Sequence, residues 1–154
     1  MFTQPTAVQH VLLLDNDRDD CFVFENALKE INPEITLTAV HDASECMDAL
    51  NAAPPDLLFL DLHLQPTSGL DVLSLLQEHP DFRKIPVVIY SSSDYVRDIN
   101  GCYGLGATLY FVKPETVPKL VQSLRQILLL QWSKPGLITA RQFAGGSYTA
   151  FQPS

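Results

Sequence analysis

Residues 11–20 read VLLLDNDRDD: four apolar residues that run straight into Asp15, Asn16, Asp17, Arg18, Asp19 and Asp20. A buried strand ending in four carboxylates is costly unless the charges meet a cation or a helix terminus. Outward from this stretch, five short apolar runs recur: HVLLL (10–14), EITLTAV (34–40), DLLFL (56–60), PVVIY (86–90) and TLYFV (108–112). Each is followed by a segment with helical periodicity, the first of them CFVFENALKEI and the last ETVPKLVQSLRQILLLQW. Strands alternating with helices indicate βαβ units and a parallel sheet. The first, third and fourth runs are continuously apolar, as strands covered on both faces require. Right-handed crossovers then give an α/β, doubly wound (βα)5 fold.

Boundary signals agree with this division. Pro54-Pro55 separates a helix from a strand, Asp94 is a candidate helix N-cap, and Gly106 a candidate C-cap before the fifth strand. A single domain is expected over residues 8–132. From Ser133 onward, KPGLITARQFAGGSYTAFQPS is rich in Gly, Pro, Ser and Thr, a tail either loosely ordered or packed back on the domain. It is too short for a separate effector domain.

The 154 residues are 46% hydrophobic and 18% charged, with a formal net charge of −8, so no basic patch speaks for a nucleic-acid partner. Cys21, Cys46 and Cys102 are far apart, as buried reduced thiols are and zinc ligands are not. The N-terminal MFTQPTAVQH has neither the basic nor the apolar region of a signal peptide. No apolar run approaches the roughly 20 residues that cross a bilayer. A soluble, cytoplasmic chain without a membrane partner is expected.

In open α/β sheets the ligand site lies beyond the carboxyl ends of the strands. The first run ends in Asp15-Asn16-Asp17, the third in Asp61, the fourth in Ser91 and the fifth in Lys113-Pro114, while the second ends in Val40-His41 without an acid. These parts suit phosphoryl transfer involving a carboxylate. Two carboxylates and an amide oxygen can hold Mg²⁺. An aspartate can become an acyl phosphate, and a lysine and a metal can neutralise the transferring oxygens.

Over about residues 8–131 the chain resembles the receiver domain of bacterial two-component response regulators. The motifs that carry the likeness are LLLDND, LLFLDLHLQPTSGLDVL around Asp61, IPVVIYSSS around Ser91, and LGATLYFVKP. The resemblance implies a flavodoxin-like fold with sheet order 2-1-3-4-5. It also implies Asp61 as phosphoacceptor and Mg²⁺ (or Mn²⁺) held by Asp15, Asn16, Asp61 and the backbone carbonyl of His63. Ser91 falls at the switch hydroxyl, Tyr110 at the switch aromatic that turns inward, and Lys113 at the position that pairs with the phosphoryl oxygens. The Lys113-Pro114 bond is expected to be cis, and His63 and Ser93 to tune the lifetime of the acyl phosphate. The implied partners are a sensor histidine kinase or phosphotransfer protein, a downstream protein target, and a second copy through the last two helices and fifth strand. The chain would catalyse only its own phosphorylation and dephosphorylation. Two departures stand out: Asn16 occupies a position where the family usually has the metal-binding Asp, and Gln65 precedes Pro66 where a Pro is usual one residue earlier.

Other readings compete residue by residue. Asp19 and Asp20 gain roughly 0.3–1 kcal/mol each at the start of a helix, and Asp17 either caps that helix or replaces the charge missing at Asn16. The segment GCYGLGA imitates a phosphate loop in the wrong context, after a helix and before a strand. The last helix has more apolar positions than one core-facing stripe needs, so either the tail covers Leu128, Leu129 and Trp132 or a partner does. As whole-protein alternatives, Asn16 supports a receiver-like module that is poorly phosphorylated. The run Asp15-Asn16-Asp17 also fits the DxD of a haloacid-dehalogenase-type phosphohydrolase using Asp15, which leaves Asp61 without a role.

Overall fold

The computed structural model describes residues 8–154; the first seven, where no signal peptide is expected, lie outside the described residues. A parallel five-stranded sheet comprises β1 (His10–Leu14), β2 (Thr36–Val40), β3 (Leu57–Leu60), β4 (Val87–Ser91) and β5 (Leu109–Val112), in the order 2-1-3-4-5. The helices between them are α1 (Arg18–Ile31), α2 (Ala43–Ala52), α3 (Gly69–Glu78), α4 (Val96–Gly104) and α5 (Val117–Leu128). None is long and apolar enough to cross a membrane.

Alternation along the strands divides the core in two. Leu12, Leu14, Leu58, Leu60, Ile89 and Tyr110 face α2, α3 and α4. Val11, Leu13, Phe59, Tyr90 and Phe111 face α1 and α5. Both faces of the central strands are therefore dry, which explains their uninterrupted apolar runs. Each such side chain contributes roughly 1.5–3 kcal/mol when fully buried. The three cysteines are buried and free.

From α1 to α5, helix starts follow the capping rules with one exception. Asp17 caps α1 by accepting from the Asp19 and Asp20 N–H groups, Asp42 caps α2, Ser68 caps α3 and Thr116 caps α5. Asp94 does not cap α4. That helix begins after Tyr95, and the Ser93 hydroxyl oxygen takes the Tyr95 N–H at 3.3 Å, having bonded to Asp98 within the helix. Gly106 adopts φ +100 beyond the end of α4, as a left-handed helix exit requires.

The tail packs back on the domain. Beyond α5 the chain turns so that the Trp132 indole N–H caps the Ile127 carbonyl at 2.9 Å. It then forms α6 (Pro135–Ala140) and a two-residue hairpin of β6 (Phe143–Ala144) and β7 (Ser147–Tyr148). Gly145 and Gly146 turn the hairpin at φ +62 and +82, values that favour glycine at both positions. Leu128 and Trp132 are buried, whereas Leu129 remains 81% exposed. The outer edge of β5, which the sheet itself leaves open, lies under this tail. Phe151 N–H donates to the Tyr110 carbonyl at 2.7 Å, and the Thr139 hydroxyl to the Thr108 carbonyl at 2.8 Å.

Candidate functional site

Strand register assembles the site. Leu14 pairs with Leu60, so the next residues, Asp15 and Asp61, stand side by side where β1 and β3 end. Asp61 N–H donates to the Leu14 carbonyl at 3.0 Å, and Asp15 N–H to the Val40 carbonyl at 3.1 Å. On the other side, Lys113 N–H donates to the Ser91 carbonyl at 2.7 Å and fixes the start of the Lys113 side chain beside β4. Asp15 and Ser91 have no exposed surface, and Asp61 is 4% exposed.

The Lys113 ammonium lies among three carboxylates. It is 2.8 Å from Asp15 Oδ2, 2.8 Å from Asp20 Oδ2 and 3.5 Å from Asp61 Oδ2, and 5.1 Å from the centroid of the Tyr90 ring. Burial pushes Asp15 up to about 6, against the pull of its Lys113 hydrogen bond. Burial alone would lower Lys113, but the Asp15 and Asp20 hydrogen bonds more than offset it and hold the amine above its ordinary value. The cluster carries three acids for one base, a surplus of negative charge that invites a second cation.

The remaining oxygens are aimed by the backbone. Asp15 Oδ1 accepts the Asp17 N–H at 2.9 Å, and Asp61 Oδ1 accepts the His63 N–H at 3.2 Å. His41, at the end of β2, sets its Nδ1 3.1 Å from the Asp15 carbonyl, an arrangement that requires the proton on that nitrogen. Ser91 Oγ accepts the Ser93 N–H at 3.2 Å. Tyr110 lies fully buried and donates its hydroxyl to the Ser93 carbonyl at 2.8 Å. Burial raises that phenol, which therefore stays protonated as a donor.

Two residues outside the expected set belong here. Asp20 sits in the first turn of α1, yet its carboxylate leans back to Lys113. Helical side chains point toward their own N-terminus, and that direction was the available signal. Gly69 brings α3 against the Asp61 backbone, and its N–H donates to the Leu62 carbonyl at 3.0 Å. The imidazole of His63 and the side chain of Asn16 are exposed. One expectation is overturned: the Lys113-Pro114 bond is trans, and the cis bond of the described residues is Gln65-Pro66. An X–Pro bond favours trans by only about 0.5–1 kcal/mol, so surroundings decide. At Lys113 the trans course already delivers the backbone bond to Ser91 and the ammonium to the acids.

A divalent ion would find only oxygen here: the Asp15 and Asp61 carboxylates, with the Asn16 amide oxygen and the His63 carbonyl as neutral candidates. That donor chemistry fits a hard cation such as Mg²⁺. Among the described residues no three Asp, Glu, His or Cys side chains are grouped as ligands.

A sequence model of the response regulator receiver domain matches residues 11–125. The two-component response regulator-like protein APRR1 of Arabidopsis thaliana is 35% identical over 106 residues, or 68% of the chain; the chain spans only 17% of that relative's length. Response regulator Rcp1 of Synechocystis sp. is 27% identical over 124 residues, covering 76% of the chain and 84% of Rcp1. The Mn²⁺-bound structure of Rcp1 matches with a TM-score of 0.70 at 26% identity, over 77% of this chain and 91% of that one. The phosphorylated cyanobacterial phytochrome response regulator RcpA matches with a TM-score of 0.72 at 29% identity, over 78% and 91%.

Proposed function

Because the chain belongs to the response regulator receiver domain family, we propose that it is a phosphorylation-dependent switch with Asp61 as phosphoacceptor. The observation that carries this reading is the Lys113 ammonium suspended among Asp15, Asp20 and Asp61. A carboxylate oxygen of Asp61 attacks phosphorus, and the bond to the donor's leaving group breaks. Lys113 is within reach of the Asp61 oxygens and takes up the charge of the incoming phosphoryl group. Asp15, Asp61, the Asn16 amide and the His63 carbonyl would hold Mg²⁺ or Mn²⁺, which would supply the remaining charge neutralisation. Ser91 supplies a hydroxyl to the phosphoryl oxygens, with Tyr110 as the aromatic that responds. His63 and Ser93 flank the acceptor and set how readily water reaches the acyl phosphate. The donor is a sensor histidine kinase or phosphotransfer protein. A phytochrome-class kinase is the first to try, since RcpA is a cyanobacterial phytochrome response regulator.

Exposure to acetyl phosphate with and without Mg²⁺, followed by intact-mass measurement, tests the assignment. A Mg²⁺-dependent phosphoryl adduct is expected in the wild-type chain and none in Asp61→Asn. An adduct that survives Asp61→Asn but disappears in Asp15→Asn would favour the hydrolase reading instead.

Asn16 favours one second reading, a receiver fold kept for binding and phosphorylated poorly. The amide oxygen still coordinates, but ligand charge count helps set affinity for hard cations. Asn16→Asp is expected to tighten Mg²⁺ about tenfold, or about 1.4 kcal/mol, in a calorimetric titration. Equal affinities would remove Asn16 as the reason for any weak labelling.

A further inference from the structure

The outer edge of β5 is occupied by the chain itself, and its occupant is tied to the candidate phosphoryl site. Tyr110 is held at both of its main-chain polar groups. Its N–H donates to the Tyr103 hydroxyl at 3.0 Å, and its carbonyl accepts the Phe151 N–H at 2.7 Å. The Tyr103 hydroxyl in turn donates to the Thr149 carbonyl at 3.0 Å, and its ring stacks on Tyr148 with centroids 4.5 Å apart. On α4, Asn100 clasps the same segment, accepting from the Tyr148 N–H at 2.9 Å and donating to Ser147 Oγ at 3.0 Å.

From Tyr110 the hydrogen bonds continue to the site. Its hydroxyl donates to the Ser93 carbonyl, and the Ser93 N–H donates to Ser91 Oγ. An unbroken path therefore runs from the Phe151 N–H through the main chain and side chain of Tyr110 to the Ser91 hydroxyl. Ala150 is buried in the same apolar cluster as Tyr103 and Tyr110, so this stretch of tail shares the core of the element it touches. Edge protection alone would not require a tail that holds Tyr110 directly at its carbonyl and, through the Tyr103 hydroxyl, at its N–H.

We propose that residues 147–151 are a built-in positioning element for the phosphoryl site, acting through Tyr110 on the loop that carries Ser91 and Ser93. The role toward phosphorylation rests on the receiver reading above; the mechanical link to the loop does not. Coupling between two sites is reciprocal. A docked tail holds the Ser91 loop in place for the phosphoryl group, and a phosphoryl group on Asp61 tightens the tail. A partner or second copy that pairs with the edge of β5 must first displace these residues.

Phe151→Pro removes the N–H that reaches Tyr110, whereas Phe151→Ala loses the ring but keeps the N–H. Hydrogen exchange on the unphosphorylated full chain is expected to quicken at residues 91–95 in Phe151→Pro while β1 exchanges as in wild type. Phe151→Ala should change the loop far less. Asn100→Ala, which cuts two fastenings without touching a core ring, must act in the same direction as Phe151→Pro. Beryllofluoride affinity at saturating Mg²⁺ should weaken at least about fivefold in both, the lower end of ordinary coupling. Beryllofluoride with Mg²⁺ should slow exchange at residues 147–151 of the wild-type chain.

Unchanged exchange at 91–95 in both Phe151→Pro and Asn100→Ala would overturn the proposal. So would unchanged protection of 147–151 in a chain shown by mass to be loaded at Asp61. If the wild-type chain takes no phosphoryl group while the loop still responds to the tail variants, the receiver reading fails and the positioning role stands.

Discussion

Replacing Gly69 with alanine is expected to cost about 3–4 kcal/mol in urea unfolding, a large effect for one methyl group. An alanine Cβ there would lie 2.1 Å from the Asp61 carbonyl oxygen, 2.6 Å from the Leu62 Cα and 2.9 Å from the Asp61 carbonyl carbon. All three are backbone atoms, so no rotamer change can make room. Either the first turn of α3 lifts away and breaks the bond from Gly69 N–H to the Leu62 carbonyl, or the end of β3 moves and takes Asp61 with it. Both routes damage the site along with the fold. Gly101→Ala is the matched control. It lies within α4 with nothing within 4 Å of an added Cβ, and alanine should stabilise there by up to about 1 kcal/mol. Equal effects at the two positions would rule out close approach as the cause.

Lys113→Met should lower stability by about 3 kcal/mol at pH 7.5 in metal-free buffer, because it leaves the buried Asp15 carboxylate without its cation. Its pH dependence separates this cause from lost packing. Asp15 is already raised from 3.8 to about 6 by burial, with the Lys113 hydrogen bond and attraction opposing the rise. Removing Lys113 removes that opposition, so the carboxyl rises further. A carboxyl raised on folding binds more protons in the folded chain than in the unfolded one. Stability therefore falls as pH climbs from the unfolded value through the folded one. The deficit of the variant should be small near pH 5 and grow steadily through pH 7.5, and Mg²⁺ should recover part of it. Acetyl phosphate labelling should drop at least about a hundredfold with the lost ammonium. A deficit of the same size at pH 5 and pH 7.5 would assign the loss to packing.

Much of this arrangement could be read from residue order. Buried parallel strands announce themselves as apolar runs: four of the five strands fall within the runs at 10–14, 34–40, 56–60 and 108–112, and β4 runs one residue past the run at 86–90, to Ser91. Strand ends then bring Asp15, Asp61, Ser91 and Lys113 to one side of the sheet, because parallel strands share a direction. What stayed hidden depends on geometry that no local pattern carries. Asp20 reads as a helix-start acid until its side chain is seen leaning back to Lys113. Gly69 reads as a spacer because the atom it must avoid belongs to residue 61. The isomer at Lys113-Pro114 was expected from resemblance alone, and the local bonding chose otherwise. The tail fell between elements too short for periodicity, although Gly145-Gly146 between Phe143-Ala144 and Ser147-Tyr148 was a hairpin signal in plain view.

Trp132 has one more consequence. It is the single tryptophan of the chain, buried where α5 gives way to the tail, with its indole N–H on the Ile127 carbonyl and Ile138 of α6 in the same apolar cluster. The molecule thus carries its own optical gauge at the root of that segment. Ultraviolet emission excited near 295 nm reports on one indole alone, so a shift toward longer wavelength would time the peeling of the tail in stopped flow, with no dye attached and no residue changed.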